Sequence, residues 1–375
     1  MALRIFLWNS WAFHSFHAMK KIDLVLLLPV VGLTLFGLLM LYDASSFVSF
    51  RDFGNKYHYV SEQLVWLLLG YAGLSFAYLF DYKKYYNLAL PILIVSLISL
   101  MLVFVPGLGV KVLGARRWVN LGFSVFQPSE IAKIALAIYL SAWFSNKEKG
   151  RLIAFLLLIG FVVFLIILQP DLGTAFIILS EAMVIYFLSG ASIMQFIYLI
   201  PIIALAIFAL IKLEPYRAQR LAVFLNPNVD LQTSSYHIRQ ILIALGSGGL
   251  FGLGLGNSLQ KFAYLPESTT DSIFAIIAEE TGFVGAGIVI LIFVLIVTRC
   301  FNIAFSAKDK FGKLLAGGIA SYLALQTLIN LGSQTAIVPV TGVPLPFISY
   351  GGSALVVSLY GIGIILNISK QNKKN

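Results

Sequence analysis

The chain has 375 residues, of which 59% are hydrophobic and 11% charged, against roughly 45–50% and 25% for a soluble domain. So few charges cannot cover that much Leu, Ile, Val and Phe in water, which excludes a soluble globule and makes the bilayer the solvent. Lys and Arg number 26 against 16 Asp and Glu, a formal charge of +10, and that excess calls for an anionic surface or ligand.

The single cysteine, Cys300, excludes an internal disulfide and a multi-cysteine metal site. Histidines are scattered apart from His14 and His17, so no histidine-based metal centre is expected. No Gly-x4-Gly-Lys-Ser/Thr phosphate loop is present, which argues against an ATP-driven pump.

Residues 1–18 form an aromatic-rich leader before Met19-Lys20-Lys21. It lacks the apolar core and small-residue cleavage site of a signal peptide, and reads either as an interfacial helix or as sequence ahead of a translation start at Met19. From residue 19 onward the chain reads as one all-α membrane domain. A window of about 20 apolar residues finds ten spans, near 24–42, 63–80, 88–105, 130–144, 151–168, 174–188, 195–211, 272–297, 314–335 and 353–368. An even count puts both termini on one side. If that side is the cytoplasm, its short segments carry fifteen Lys and Arg, as the positive-inside rule asks, and the outer side carries ten.

The outer charges concentrate in two loops. Loop 106–129 holds Lys111, Arg116 and Arg117 beside Trp118 with no carboxylate, which suits either lipid phosphates or an anionic ligand. At its end Gln127-Pro128-Ser129-Glu130 opens the fourth span, and Gln169-Pro170-Asp171 opens the sixth, each with proline where its missing N–H costs nothing. These residues serve as ordinary caps, but Lys133 lies three residues after Glu130 on the same helix face, placed to form an ion pair and orient a cation. Within the sixth span, Glu181 is an intramembrane acid, which is either buried and neutral or functional.

The second outer loop, 212–271, lies between the seventh and eighth spans and carries Arg217, Arg220, Arg239 and Lys261. It contains a helical stretch at Tyr236–Leu245, followed by the glycine-dense run Gly246–Gly256, where backbone can approach backbone or ligand closely. It ends in Leu265-Pro266-Glu267-Ser268-Thr269-Thr270-Asp271. Phe274 stands where a capping box would need Glu or Gln, so Asp271 is not spent on one. A helix over 272–297 is about 39 Å long, more than the hydrocarbon core needs, so its first turns project among the basic loops with Asp271 facing them. Glu279 and Glu280 follow, about 12 Å further along. Between the last two spans, Pro339 to Ser353 carries three prolines and three glycines but no charge. It reads as a re-entrant lining of a cavity.

These features together resemble the SEDS family (shape, elongation, division and sporulation) from Met19 onward. The matching motifs are Gly114-Ala115-Arg116-Arg117-Trp118 with Gln127-Pro128-Ser129-Glu130, Gln169 to Thr174, Tyr216-Arg217 through Asn226-Pro227, Gly246 to Leu250, Leu265 to Asp271 and Pro344 to Ser353. The Arg pair, Gly256 to Lys261 and Phe347-Ile348-Ser349-Tyr350 resemble the division branch more than the elongation branch.

The resemblance implies an inverting peptidoglycan glycosyltransferase that polymerises lipid II on the outer face of the cytoplasmic membrane, with a class B penicillin-binding protein and other division or elongation proteins as partners and no nucleic acid. It places the general base on Asp271. The substrate-binding residues would be Arg116, Arg117, Trp118, Gln127, Glu130, Lys133, Gln169, Asp171, Arg217, Arg220, Lys261, Glu267, Thr270, Ser349 and Tyr350. A divalent cation, Mg or Mn, could assist, although no ligand cage is legible. The family commonly has His two residues before the aspartate and Phe after it. Here Thr269 and Ser272 stand there, and a polar Ser272 is expected to leave the base less desolvated. Two other readings fit the intramembrane acids and broken segments, a lipid-precursor flippase or proton-coupled carrier and a non-catalytic division scaffold.

Overall fold

The computed structural model describes residues 22–112, 114–120, 122, 124–146, 151–225 and 234–372. The leader 1–18 therefore lies outside the described residues. Each of the ten expected spans coincides with a helix. They are α1 (Leu24–Phe53), α2 (His58–Leu79), α3 (Lys84–Leu102), α4 (Pro128–Ser145), α5 (Leu152–Ile167), α6 (Leu172–Leu188), α7 (Ile193–Leu213), α10 (Ile273–Phe305), α11 (Lys310–Gln334) and α12 (Gly352–Asn372). Two more helices, α8 (Pro215–Leu225) and α9 (Ser234–Ser247), fold the long loop, and α9 covers the stretch expected to be helical. Seven of these helices are long and apolar enough to cross a membrane by themselves, and α5 and α6 are shorter apolar ones.

The chain is thus an integral, polytopic, almost wholly helical membrane protein. Helix α1 runs eleven residues past its expected end, carrying Asp43 beyond the apolar stretch to the end of the bundle where the two long loops lie. Loop 106–129 departs from a plain loop. It forms a small antiparallel sheet, β1 (Gly109–Val112), β2 (Ala115–Asn120) and β3 (Val125–Phe126) in that order. Alternation of Val110, Lys111 and Val112 supplies the strand pattern, and Val112 pairs with Ala115.

Helices α11 and α12 form the buried centre, whereas α7 is almost wholly exposed along its length and faces the surroundings. A bilayer offers no water to a polar backbone or side chain, so each must find a partner inside the protein. At the end of the bundle away from the loops, Asp23 takes Arg299 Nη2 at 2.7 Å and the Ser369 hydroxyl at 3.1 Å, tying α1, α10 and α12 together.

Helix α10 is two helices in one register. Gly282, at φ 68° and ψ −170°, breaks it into a short helix 273–281 and a long span beyond. Only glycine takes that conformation without a steric penalty. The glycine-dense run repairs the break. Phe283 and Val284 N–H donate to Gly249 and Leu250 carbonyls, at 2.9 and 3.1 Å, and Leu253 and Gly254 N–H donate to Glu279 and Glu280 carbonyls, both at 3.0 Å. A Cβ on Gly248 or Gly252 would collide with the backbone of Ala278 or Glu280, so these glycines serve backbone-on-backbone packing.

Candidate functional site

The short helix 273–281 presents Asp271 at its start. Three residues of α11 at a spacing of four, Gln326, Asn330 and Gln334, form an amide ladder on the face beneath it. Asn330 and Gln334 amides donate to the Asp271 backbone carbonyl at 2.9 and 2.8 Å, and Gln334 Oε1 accepts the Ala275 N–H at 2.7 Å. Asn330 also reaches the Val343 carbonyl at 2.8 Å, and Gln326 reaches the Pro344 carbonyl at 3.0 Å. One helix therefore fixes both the aspartate and the 339–353 loop. The turn before Asp271 is strained. Glu267 sits at φ 50°, its carbonyl accepts Thr270 and Ser272 N–H, and its carboxylate accepts the Thr270 hydroxyl at 2.8 Å. Such strain persists where surrounding structure holds it, often at functional sites.

The Asp271 backbone is gripped, but its side chain is left free. Among the described residues no hydrogen bond or ion pair reaches its carboxylate, and Oδ2 lies 3.3 Å from where a Cβ on Gly342 would stand. Burial, reinforced by the Glu267 and Asp171 carboxylates and opposed by Arg117 and Arg220, pushes its pKa up to about 7. Ser272 is itself buried and its hydroxyl lies 2.8 Å from His237 Nε2, so it turns to the histidine instead of hydrating the acid. Burial and Arg220 hold His237 down at about 4, a neutral imidazole at physiological pH.

Cations gather opposite. Arg117 donates through Nε to the Gln169 carbonyl at 3.3 Å and through Nη2 to the Pro170 carbonyl. Arg220 donates to the Val340 carbonyl at 3.3 Å, and Arg217 to the Leu210 carbonyl at 3.1 Å. All three line a cavity of about 400 Å³ walled by α5, α6, α7, α8 and residues 338–341, and they are the charged residues among its described lining. Its remaining walls are overwhelmingly apolar, with Ile167, Phe176, Leu179, Ile203 and Leu210 prominent. Asp171 caps α6 through Thr174 N–H at 3.0 Å and accepts Gln127 Nε2 at 3.2 Å, so the two proline-marked helix starts meet here. Gln169 anchors its own corner by donating to the Leu100 carbonyl at 3.1 Å.

Other expected residues stand back from this point. Arg116 is exposed on β2 and, by strand alternation, faces away from Arg117, while Trp118 is half-buried opposite Val110. Lys133 is 1% exposed, 2.7 Å from Glu130 Oε2 and 2.6 Å from Gln326 Oε1, so it supports the 339–353 loop from beneath. Ser349 accepts the Leu345 N–H at 2.8 Å, which shapes that loop. Tyr350 donates its N–H to the Thr269 carbonyl at 2.9 Å and its hydroxyl to Glu62. Glu181 is fully buried, and among the described residues neither of its carboxylate oxygens has a hydrogen-bond partner. Lys261 pairs with Glu280 and Asp43, while Glu279 accepts the Ser258 hydroxyl and the Leu259 N–H. Among the described residues no group of three or more His, Cys, Asp or Glu is placed to hold a metal ion.

The site is thus a cavity with apolar walls and three arginines beside the Asp271 carboxylate, set in a polytopic helical membrane bundle. Residues 24–374 match the family model of FtsW, RodA and SpoVE, described as cell cycle proteins. The probable peptidoglycan glycosyltransferase FtsW of Trichlorobacter lovleyi is 40% identical over 362 residues, covering 94% of each chain. Stage V sporulation protein E of Bacillus subtilis is 38% identical over 357 residues, covering 94% of this chain and 98% of that one. Among solved structures, a chain described under structural coordination of polymerization and crosslinking by a peptidoglycan synthase complex superposes with a TM-score of 0.78 at 27% identity, covering 94% and 99%. The rod shape determining protein RodA of Thermus thermophilus superposes with a TM-score of 0.70 at 28% identity, covering 94% and 98%. The chain belongs to this FtsW/RodA/SpoVE family, the SEDS family, and is a glycosyltransferase of the membrane.

Proposed function

We propose that the chain polymerises lipid II, an undecaprenyl-pyrophosphoryl disaccharide peptide, into glycan strands at the outer face of the cytoplasmic membrane. The observation that carries this reading is the unpaired Asp271 carboxylate standing against Gly342, beside an apolar cavity whose described charges are Arg117, Arg217 and Arg220. A polyprenyl tail needs an apolar slot and a pyrophosphate needs cations at its mouth, and this arrangement supplies both. The pyrophosphate departs as the anomeric carbon–oxygen bond breaks, and the arginines stabilise the charge that develops on it. Asp271 takes the proton from the attacking 4-hydroxyl of the acceptor sugar as the new glycosidic bond forms on the opposite face, so configuration inverts. An aspartate whose pKa lies near 7 suits a base at neutral pH.

The chain would face its basic loops outward, keep both termini in the cytoplasm, serve division and work with a class B penicillin-binding protein. Purified chain with its partner synthase in vesicles, given fluorescent lipid II, tests the reading. It should yield lengthening glycan polymer and free undecaprenyl pyrophosphate. Lipid II that crosses the bilayer unpolymerised would mean transport, and neither polymer nor crossing would leave scaffolding.

A further inference from the structure

The short helix that presents Asp271 ends in a second charged cluster, remote from the arginines. Lys261 Nζ lies 2.8 and 3.0 Å from the two Asp43 carboxylate oxygens on α1, and 3.1 Å from Glu280 Oε1. The same Glu280 oxygen accepts the Ser258 N–H at 3.1 Å, and Glu279 accepts the Leu259 N–H at 3.2 Å and the Ser258 hydroxyl. The side chains of Lys261, Glu280 and Asp43 are 6%, 0% and 20% exposed. Three segments, the distant α1, the strap 258–261 and helix 273–281, meet in this cluster.

An ammonium group has three donors, and here three carboxylate oxygens take them. Lys261 therefore has no donor left for a phosphate, and its work lies elsewhere. Gly282 separates helix 273–281 from the span below, so the direction of the short helix is set by its lateral contacts, which are the glycine run, the α11 amides and this cluster. Asp271 stands about 16 Å from Gly282 along the axis, and a swing of about 10° would carry it roughly 3 Å, when a misplacement of about 1 Å can cost on the order of a hundredfold in rate.

We infer that the Lys261–Asp43–Glu280 cluster is a positioning device, which locks helix 273–281 against α1 and so holds Asp271 in its place beside the arginine-lined cavity. Lys261 acts through Asp271 and does not touch substrate. The inference rests on the reading of Asp271 as the base, and its test is built so that the two can fail separately.

The full chain with its partner synthase in lipid nanodiscs is compared as wild type, Lys261→Met, Lys261→Arg, Asp43→Asn and Asp271→Asn. In Lys261→Met, backbone amides of 273–281 should exchange hydrogen about tenfold faster as the local opening energy falls. With it, kcat should fall on the order of 30-fold while KM stays within about twofold. Lys261→Arg keeps the charge and should restore both to within about threefold of wild type. Asp43→Asn leaves Lys261 on Glu280 and should show the same changes at smaller size, so it decides the matter if Lys261→Met does not assemble. Unchanged exchange in 273–281, or a raised KM at unchanged kcat, would overturn the positioning role. Polymer from Asp271→Asn at the wild-type rate would instead defeat the base, while the exchange measurements still judge the cluster.

Discussion

At the far end of helix 273–281, Glu279 and Glu280 are surrounded by donors from Ser258, Leu259 and Lys261, whereas at its start the Asp271 carboxylate meets none among the described residues. Both ends belong to one short rigid element, and both carry acids that sequence alone treats alike. A buried charge held by several partners is fixed in place, since removing one partner leaves the others uncompensated. An acid whose backbone is gripped and whose side chain is left open is held ready for something that arrives. Two arginines of the cavity, Arg117 and Arg220, belong with the second kind. Among the described residues their hydrogen bonds run to the carbonyls of Gln169, Pro170 and Val340, not to a carboxylate, so their charge is unspent.

Apart from the acid itself, Arg117→Ala carries the largest expected effect. It removes a cavity cation proposed to stabilise the leaving group and loosens the Gln169-Pro170 corner, so kcat/KM for lipid II polymerisation should drop by about 10² to 10³. A drop of less than about threefold would show that Arg117 only ties backbone. Next comes Gln334→Leu, which cuts one of the two amides holding the Asp271 carbonyl and the acceptor for Ala275 N–H. A loss of about tenfold in kcat at nearly constant KM is expected from a displaced acid.

A pH series sharpens the same point. The Asp271 proton must leave before the carboxylate can act as base, and its folded pKa is raised, so the rate should climb with pH through about 7 and fall about tenfold per unit well below it. Glu267→Gln removes a negative neighbour that raises Asp271, so the acid limb should move to lower pH, and an unmoved limb would detach that limb from Asp271. The smallest effect belongs to Arg116→Ala. Arg116 is exposed on the opposite face of β2 from its neighbour, and polymerisation should stay within about threefold.

Much of the fold was legible because membrane spans are written in composition. All ten apolar windows coincide with helices, and the glycine run 246–256 does allow close backbone approach, onto Ala278 and Glu280. Basic residues opposite Asp271 were expected from the outer loops, and Arg117 and Arg220 lie near enough to act on its charge, whereas Arg116 and Lys133, expected there too, stand back. Other features needed long-range information. The partners of Lys261 are Asp43 and Glu280, 218 and 19 residues away, and nothing local in the sequence pairs a lysine with one acid over another. The β-hairpin at 109–120 was hidden by its shortness within a basic loop. Gln326, Asn330 and Gln334 are a different case. Their spacing of four on an apolar helix was readable, and amides in a membrane span need partners, yet what they hold is visible only once α11 lies beneath Asp271.

The central claim is that Asp271 is the group that takes the proton in glycan polymerisation, and the most direct test is the rate at which Asp271→Asn protein, assembled with its partner synthase, converts labelled lipid II to polymer. Loss of a general base typically costs about 10² to 10⁴ in rate, so the account predicts no polymer above background on the timescale of wild-type turnover, with the variant still folded and still binding the lipid. Strands formed at the wild-type rate would contradict it.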